Sequence, residues 1–231
     1  MNEVMRQEKK YLVVLPELYR LADLLSQVML RDEHGGSTGY RIRSLYFDTL
    51  NENDFYEKLE CVELRRKLRL RIYDPDANFA MLEMKQKQGA YQRKRSLRLH
   101  REDALQLAAG HYGVLLAYAD PFAAECYGLM CRMCYRPKTI VEYQRQAFLA
   151  KENRIRITLD HHIMATEACF DLFAPALNLY PVLDPFNAVL EVKYNGFLLS
   201  YIKAAVSQAN RSELSMSKYC LARSAGLKFQ I

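Results

Sequence analysis

The stretch Leu68-Arg69-Leu70-Arg71-Ile72-Tyr73 alternates apolar and charged residues, which is the two-residue period of a β-strand. Leu68, Leu70 and Ile72 fall on one face, and Arg69, Arg71 and Tyr73 on the other. The pattern returns at Met81-Leu82-Glu83-Met84-Lys85-Gln86-Lys87, where Glu83, Lys85 and Lys87 share a face. It returns again at Arg154-Ile155-Arg156-Ile157-Thr158-Leu159 and at Val189-Leu190-Glu191-Val192-Lys193. A single such strand is most simply one with a side in water. Four strands with Arg, Lys and Glu at alternate positions describe a sheet with an apolar outer face under helices and a cationic inner face. That inner face suits a polyanion, and its few carboxylates suit a divalent metal.

Working outward, residues 7–14 read as a first strand, and Pro16 opens a helix with an apolar stripe of Leu18, Leu21, Leu25 and Val28. Gly35-Gly36-Ser37 is a turn, and residues 40–48 are a strand with Arg41 and Arg43 alternating. Residues 51–60 are a short helix or loop. Asp74-Pro75-Asp76 and Gln88-Gly89-Ala90 connect hairpin neighbours, the second leading into a strand over 91–99. The stretch of about 101–135 is helical, broken at Pro121, and is expected as an insertion covering an outer face. Strands resume over 139–148, then at Arg154/Arg156 up to Asp160-His161-His162, then more loosely over 164–170, then at Glu191/Lys193. Helices over 197–208 and 217–225 end the chain, with Gly226 placed to stop the second. Short turns between consecutive strands predict an antiparallel sheet, and about eight strands suffice to close a barrel. No repeat or linker interrupts the pattern. The expectation is one α+β domain over residues 1–231: an antiparallel eight-stranded β-barrel with helices packed outside.

The 231 residues carry a net charge of +6, which points mildly to an anionic partner. No apolar run reaches a membrane span, and Met1-Asn2-Glu3-Val4-Met5-Arg6 lacks the layout of a signal peptide, so a cytoplasmic location is expected. Cys126, Cys131 and Cys134 have the spacing of some iron–sulfur ligands, but the residues between them resemble a helix surface, and free thiols are expected. His161 and His162 are adjacent on a strand, where neighbours point to opposite sides, so they are not expected to share a metal. There is no G-x-S-x-G, Walker or Rossmann pattern. A charge-lined surface remains, and phosphoryl transfer needs little more: cations on phosphate oxygens, a metal and an aligned nucleophile. Lys10, Arg69, Arg71, Lys85, Arg145, Arg156 and Lys193 are candidate cations. Glu191 is the candidate ligand for Mg²⁺ or Mn²⁺, and Glu83 the second.

The runs Glu8-Lys9-Lys10-Tyr11, Arg43-Ser44-Leu45-Tyr46-Phe47-Asp48-Thr49, Leu68-Arg69-Leu70-Arg71, Leu82-Glu83-Met84-Lys85, Glu142-Tyr143-Gln144-Arg145-Gln146-Ala147-Phe148, Leu190-Glu191-Val192-Lys193-Tyr194-Asn195-Gly196 and Ser217-Lys218-Tyr219 resemble, in order, the motifs of the VTC domain. That is the polyphosphate polymerase domain of the vacuolar transporter chaperone family, one of the triphosphate tunnel metalloenzymes alongside the CYTH phosphatases. The resemblance implies an eight-stranded tunnel that transfers the ATP γ-phosphate to a growing polyphosphate with a divalent metal. It implies catalytic roles for Lys10, Arg69, Arg71, Lys85, Arg145 and Glu191. Phosphate-binding roles follow for Arg43, Lys94, Tyr143, Arg156, Lys193, Ser217 and Lys218, although Arg93 or Arg95 could fill the register of Lys94. Glu191 resembles the metal-binding glutamate.

Arg6-Gln7-Glu8-Lys9-Lys10 departs from the Glu-x-Glu-x-Lys opening of the CYTH branch, having one carboxylate at that spacing. This favours the VTC branch. The SPX domain and membrane segments of the eukaryotic complex have no counterpart here, so neither inositol-phosphate regulation nor transport carries over, and a membrane-protein partner remains open. The expected partners are ATP and polyphosphate. The alternatives are a tunnel triphosphatase and a non-catalytic polyphosphate-binding module. Nucleic acid is not expected, because no segment interleaves Tyr repeatedly with Arg or Lys. Removing an inner-face cation, as in Arg69→Ala or Arg145→Ala, is expected to abolish phosphate binding at little cost in stability.

Overall fold

Alternation along the chain becomes eight long strands: β1 (Arg6–Val14), β3 (Tyr40–Asp48), β4 (Leu64–Ile72), β5 (Phe79–Gln88), β6 (Tyr91–His100), β7 (Arg136–Ala150), β8 (Ile155–Thr166) and β10 (Asn187–Asn195). Three two-residue strands accompany them, β2 (Leu30–Arg31), β9 (Tyr180–Pro181) and β11 (Ser212–Glu213). The helices are α1 (Leu15–Val28), α2 (Asn53–Leu59), α3 (Arg101–Ala108), α4 (Pro121–Arg132), α5 (Ser200–Ser207) and α6 (Lys218–Lys228). The computed structural model describes residues 6–33, 35–36, 38–89, 91–209, 212–213, 215 and 217–228. Ser37, Ala90 and Met1 to Met5 of the expected turns and N-terminus lie outside those residues. Strand pairing is antiparallel throughout the described ladders, as short connections require. Among the described residues no helix is long and apolar enough to cross a membrane.

The chain forms two compact units, each assembled from three segments. The first comprises Met1–Arg41, Tyr143–Ile163 and Leu183–Met216. Its strands run in the order β11-β1-β10-β8. The apolar face of β8 and β10, with Ile157, Leu159, Leu190 and Val192, packs with Leu18, Leu21 and Leu25 of α1 and with Ile202 and Val206 of α5. Val28, expected in the α1 stripe, is instead exposed at the last turn. β8 does not stop at His162 but continues to Thr166, absorbing the start of the looser strand expected after it; no strand follows over 167–170. His162 takes a left-handed φ of 50° inside that strand. This breaks the alternation and brings the two histidine rings together, with centroids 4.8 Å apart, rather than onto opposite sides.

The second unit comprises Ile42–Glu142, Met164–Val182 and Ser217–Ile231, with strand order β3-β4-β5-β6. Leu68, Leu70, Ile72, Leu82 and Met84 turn one face to a core completed by Leu107 of α3, the 3₁₀ turn Tyr112–Ala117, and Phe122, Cys126 and Met130 of α4. The helical stretch therefore covers an apolar sheet face, as its composition predicts. Pro121 opens α4 at its first turn, after Asp120, whose side chain accepts from the Phe122 N–H at 2.8 Å. Cys126 is core, and burial pushes its thiol up to about 12, whereas Cys131 and Cys134 are exposed. α6 runs through Gly226 instead of ending there. A Cβ at that glycine would stand 2.6 Å from the Glu167 carboxylate, so close approach rather than helix termination is what it provides.

A polar knot lies inside this second unit. The Asp48 carboxylate accepts from the N–H groups of Asp54 and Phe55 at the start of α2, both at 3.0 Å, and from the Tyr219 hydroxyl of α6 at 2.6 Å. The Asp54 carboxylate accepts from the Tyr135 hydroxyl at 3.0 Å. Burial, reinforced by the Asp48 charge, raises Asp54 to about 8. The folded state thus holds a proton there that the unfolded chain releases above about pH 4. Its stabilising effect is complete at low pH and is lost as pH rises toward 8. We expect unfolding free energy, measured by urea titration between pH 5 and 8, to fall by up to roughly 1.4 kcal/mol per pH unit from this group. Asp54→Asn should remove most of that slope and be more stable than wild type at pH 8.

Candidate functional site

In the second unit, the face of β4, β5 and β6 opposite the core carries an ordered set of charges. Lys67 stands opposite Lys85, and Lys85 opposite Lys94, which makes a row of three lysines across three strands. Neighbouring strands lie about 4.8 Å apart, and like charges directly opposite oppose pairing. The next row holds Arg69, Glu83 and Ser96. Glu83 is a hub: its Oε2 receives Arg69 Nε at 2.8 Å and Nη2 at 2.7 Å, with Arg71 Nη1 at 3.6 Å, while Lys94 pairs with Oε1. Burial would raise this carboxyl, but Arg69, Arg71 and Lys94 outweigh it and hold it down at about 2. Burial, together with Arg69 and Arg71, lowers the Lys94 ammonium.

Arg69 also donates to the Tyr46 hydroxyl at 2.9 Å, and the Tyr46 ring stacks on Tyr219 with centroids 5.2 Å apart. Ser217 caps α6: its Oγ accepts from the Cys220 N–H at 3.3 Å and from the Lys67 ammonium. Lys218 opens the helix. The two motifs around Tyr46-Phe47-Asp48 and Ser217-Lys218-Tyr219, distant in sequence, are therefore joined in one cluster.

The first unit has its own charged face, with a different pattern. Glu8, Lys193 and Arg156 form one cross-strand row, and Lys10, Glu191 and Thr158 the next. Opposite charges meet here: Lys193 pairs with Glu191 and, at 3.8 Å, with Glu8, and Lys10 approaches Glu8 at 3.1 Å. Burial disfavours the Lys10 cation, but Glu191, Glu8 and Asp160 more than compensate, and its titration is raised. Arg145 forks onto Asp160, with Nε at 2.6 Å and Nη2 at 2.7 Å from the two oxygens, and lies over the Tyr143 ring. Arg156 donates to Asp32 at 2.7 Å and to the Tyr40 hydroxyl at 3.2 Å.

The expected site residues thus fall into two groups, one in each unit. Register selects Lys94 over its neighbours, because it shares the face of Glu83 while Arg95 turns to the other face, against Glu125 and Phe122. Arg43 does not join the cationic face. It stands opposite Ile72, on the other side of β3 from Ser44 and Tyr46, where its buried guanidinium bonds Glu142 at 2.6 Å and the Leu172 and Ala174 carbonyls. Lys67 was missed, although the Arg65-Lys67-Arg69-Arg71 alternation carries it. Glu8, Asp32 and Asp160 were missed because a carboxylate partner is chosen by the sheet, not by spacing along the chain.

Among the described residues no group of three or more His, Cys, Asp and Glu side chains converges as a metal site. Mg²⁺ and Mn²⁺ are commonly held by one or two carboxylates, with substrate phosphates and water completing the shell. Glu191, whose Oε1 pairs with Lys193, is the candidate for such a partial set; Glu8 is not, since its two oxygens face Lys10 and Lys193. Glu83 does not, since both its oxygens already face cations.

The VTC domain family model matches residues 5–226. This chain belongs to the VTC domain family. No curated protein matches it. Its fold is similar to that of the putative adenylyl cyclase HpAC1 from Hippeastrum, described as having a dominant triphosphatase activity, with 14% identity, 96% of each chain covered and a TM-score of 0.58. It is also similar to a putative adenylate cyclase from Vibrio parahaemolyticus, with 14% identity, 94% of this chain and 97% of that chain covered, and a TM-score of 0.50. At that identity the likeness establishes the fold alone, an antiparallel α+β architecture. Membership of the VTC family bears out the resemblance read from the sequence.

The contacts divide the cations by what their removal would do. Asp160 is fully buried, so Arg145→Ala removes the two-point partner of a buried charge, and we expect a loss of about 3–5 kcal/mol in urea unfolding. This reverses the small cost expected from alternation alone. Glu83 is depressed below its unfolded value, so its contribution is present above about pH 4.5 and lost as pH falls toward 2. Glu83→Gln should abolish that acid-side dependence, and an unchanged acid limb would remove Glu83 from the hub.

Proposed function

We propose that this chain is an ATP-dependent polyphosphate polymerase. The row Lys67, Lys85 and Lys94 is the observation that carries the reading. Three lysines in one cross-strand row concentrate positive charge on a strand face, and an oxyanion chain laid along them would be drawn to it. Membership of the VTC family supports phosphate chemistry at this face. In the proposed reaction a terminal oxygen of the polyphosphate attacks the γ-phosphorus of ATP, the bond to the β-phosphate oxygen breaks, and ADP leaves. Arg69 and Arg71, held in place by Glu83, take phosphate oxygens, and Lys10 and Lys193 do so on the face of the first unit. Glu191 would hold the divalent ion, whose chemistry is to neutralise charge on phosphate oxygens. A triphosphatase is the second reading, favoured by the activity described for the Hippeastrum relative. The two differ in whether an oligophosphate or water stands as acceptor.

Purified protein incubated with ATP and Mn²⁺ should produce a polyphosphate ladder on a stained gel. Release of orthophosphate without chains would decide for the triphosphatase. Glu191→Gln should lower turnover by at least a hundredfold while keeping metal-free tripolyphosphate binding; unchanged metal dependence would remove Glu191 from the mechanism. Tripolyphosphate should raise the melting temperature at low salt, and the shift should shrink as salt screens the contact. Absence of any shift would count against all phosphate readings.

A further inference from the structure

We propose that the second unit carries another anion site, on the opposite face of the same strands, which binds phosphate oxyanions beneath α4. A cleft of about 400 Å³ opens there between the β4–β5 surface and the helix. Arg66 and Arg132 line it, and Met84 and Leu129 give it an apolar floor. Gln86, also in its lining, stands between Arg66 and Arg93 in the strand register, so two arginines flank one amide across three strands.

The charge here is only partly compensated: Arg66 and Arg93 act on Glu125 at a distance, and Arg66 on Glu57. Glu125 also lines it, but both of that carboxylate's oxygens are committed to Arg95, which lies over the Phe122 ring. Arg66, Arg93 and Arg132 make no ion pair among the described residues. Guanidinium forks match phosphate oxygens bidentately and are weakly hydrated, so they suit this ligand better than ammonium groups would.

Gly128 is the second, independent observation. It sits inside α4 and lines the cleft. Glycine in a helix interior costs about 1 kcal/mol relative to alanine, so a position of this kind calls for a reason. Packing supplies none, because a Cβ built there meets nothing within 4 Å. Leaving the cleft mouth open is the role that remains. The volume falls in the range of small-ligand sites, large enough for an oligophosphate or for a nucleotide diphosphate whose base lies on Met84 and Leu129.

The test is calorimetric titration of the full chain with tripolyphosphate and, separately, with ADP. Wild type should show two classes of site. Gly128→Leu, whose Cβ meets nothing within 4 Å, and Arg66→Gln/Arg132→Gln should each weaken one class at least tenfold and leave the other. Lys67→Ala/Lys85→Ala should do the converse, so failure of this inference is distinct from failure of the polymerase reading. Melting curves check that each variant folds. Cleft binding of tripolyphosphate alone supports the site and assigns it to the phosphate chain. Binding of ADP as well, or alone, supports it and adds the base. If neither ligand loses affinity in Gly128→Leu or in the double arginine variant, the site does not exist.

Discussion

Lys67, Lys85 and Lys94 stand side by side on three hydrogen-bonded strands, and much of the second unit can be understood as a response to that repulsion. Strand spacing holds their backbones about 4.8 Å apart, so only the flexible side chains can carry the ammonium groups away from one another. The fold tolerates them through Glu83, set one row away in the same register, which draws Lys94 and both arginines toward itself. Ser217 takes the Lys67 ammonium at the start of α6. On the reverse face Leu68, Leu82 and Met84 supply the burial that keeps the strands paired despite the charge.

The first unit handles charge differently. Each row sets a carboxylate beside a lysine, so Lys10 and Lys193 reach Glu8 and Glu191, while Arg156, opposite Lys193, turns to Asp32. Arg145 is the extreme case, locked onto a carboxylate with no exposure at all. Such a side chain is part of the structure before it is part of any site. A carboxylate paired as Glu191 is also keeps the charged face from repelling itself.

The polar knot around Asp48 explains why motifs far apart in the chain go together. One carboxylate caps α2 and fixes Tyr219, Tyr219 stacks on Tyr46, and Tyr46 receives Arg69. The orientation of a cationic side chain is thus set by a helix that begins almost 150 residues later, at Lys218. Removing the Asp48 charge would loosen α2, α6 and the arginine together.

Period-two alternation, with turn residues between, marked the course of the long strands and the charged faces of β4, β5, β8 and β10, and put Arg69, Arg71, Lys85, Glu191 and Lys193 on them. This was legible because a strand's side chains must alternate, whatever else the chain does. Composition likewise marked the stretch over α3 and α4 as a cover for an apolar face. Tertiary structure decided what alternation cannot express. Arg43 obeys the same period as Arg69, yet its strand is set in the sheet so that it points to the other side, toward Glu142 and two carbonyls. Lys94 was one of three candidates until pairing with β5 put it beside Glu83. Arg145 looked available until Asp160 was found against it. In each case the deciding partner lies on another strand, and register between strands is fixed by the packing of whole faces, not by the order of residues along one of them.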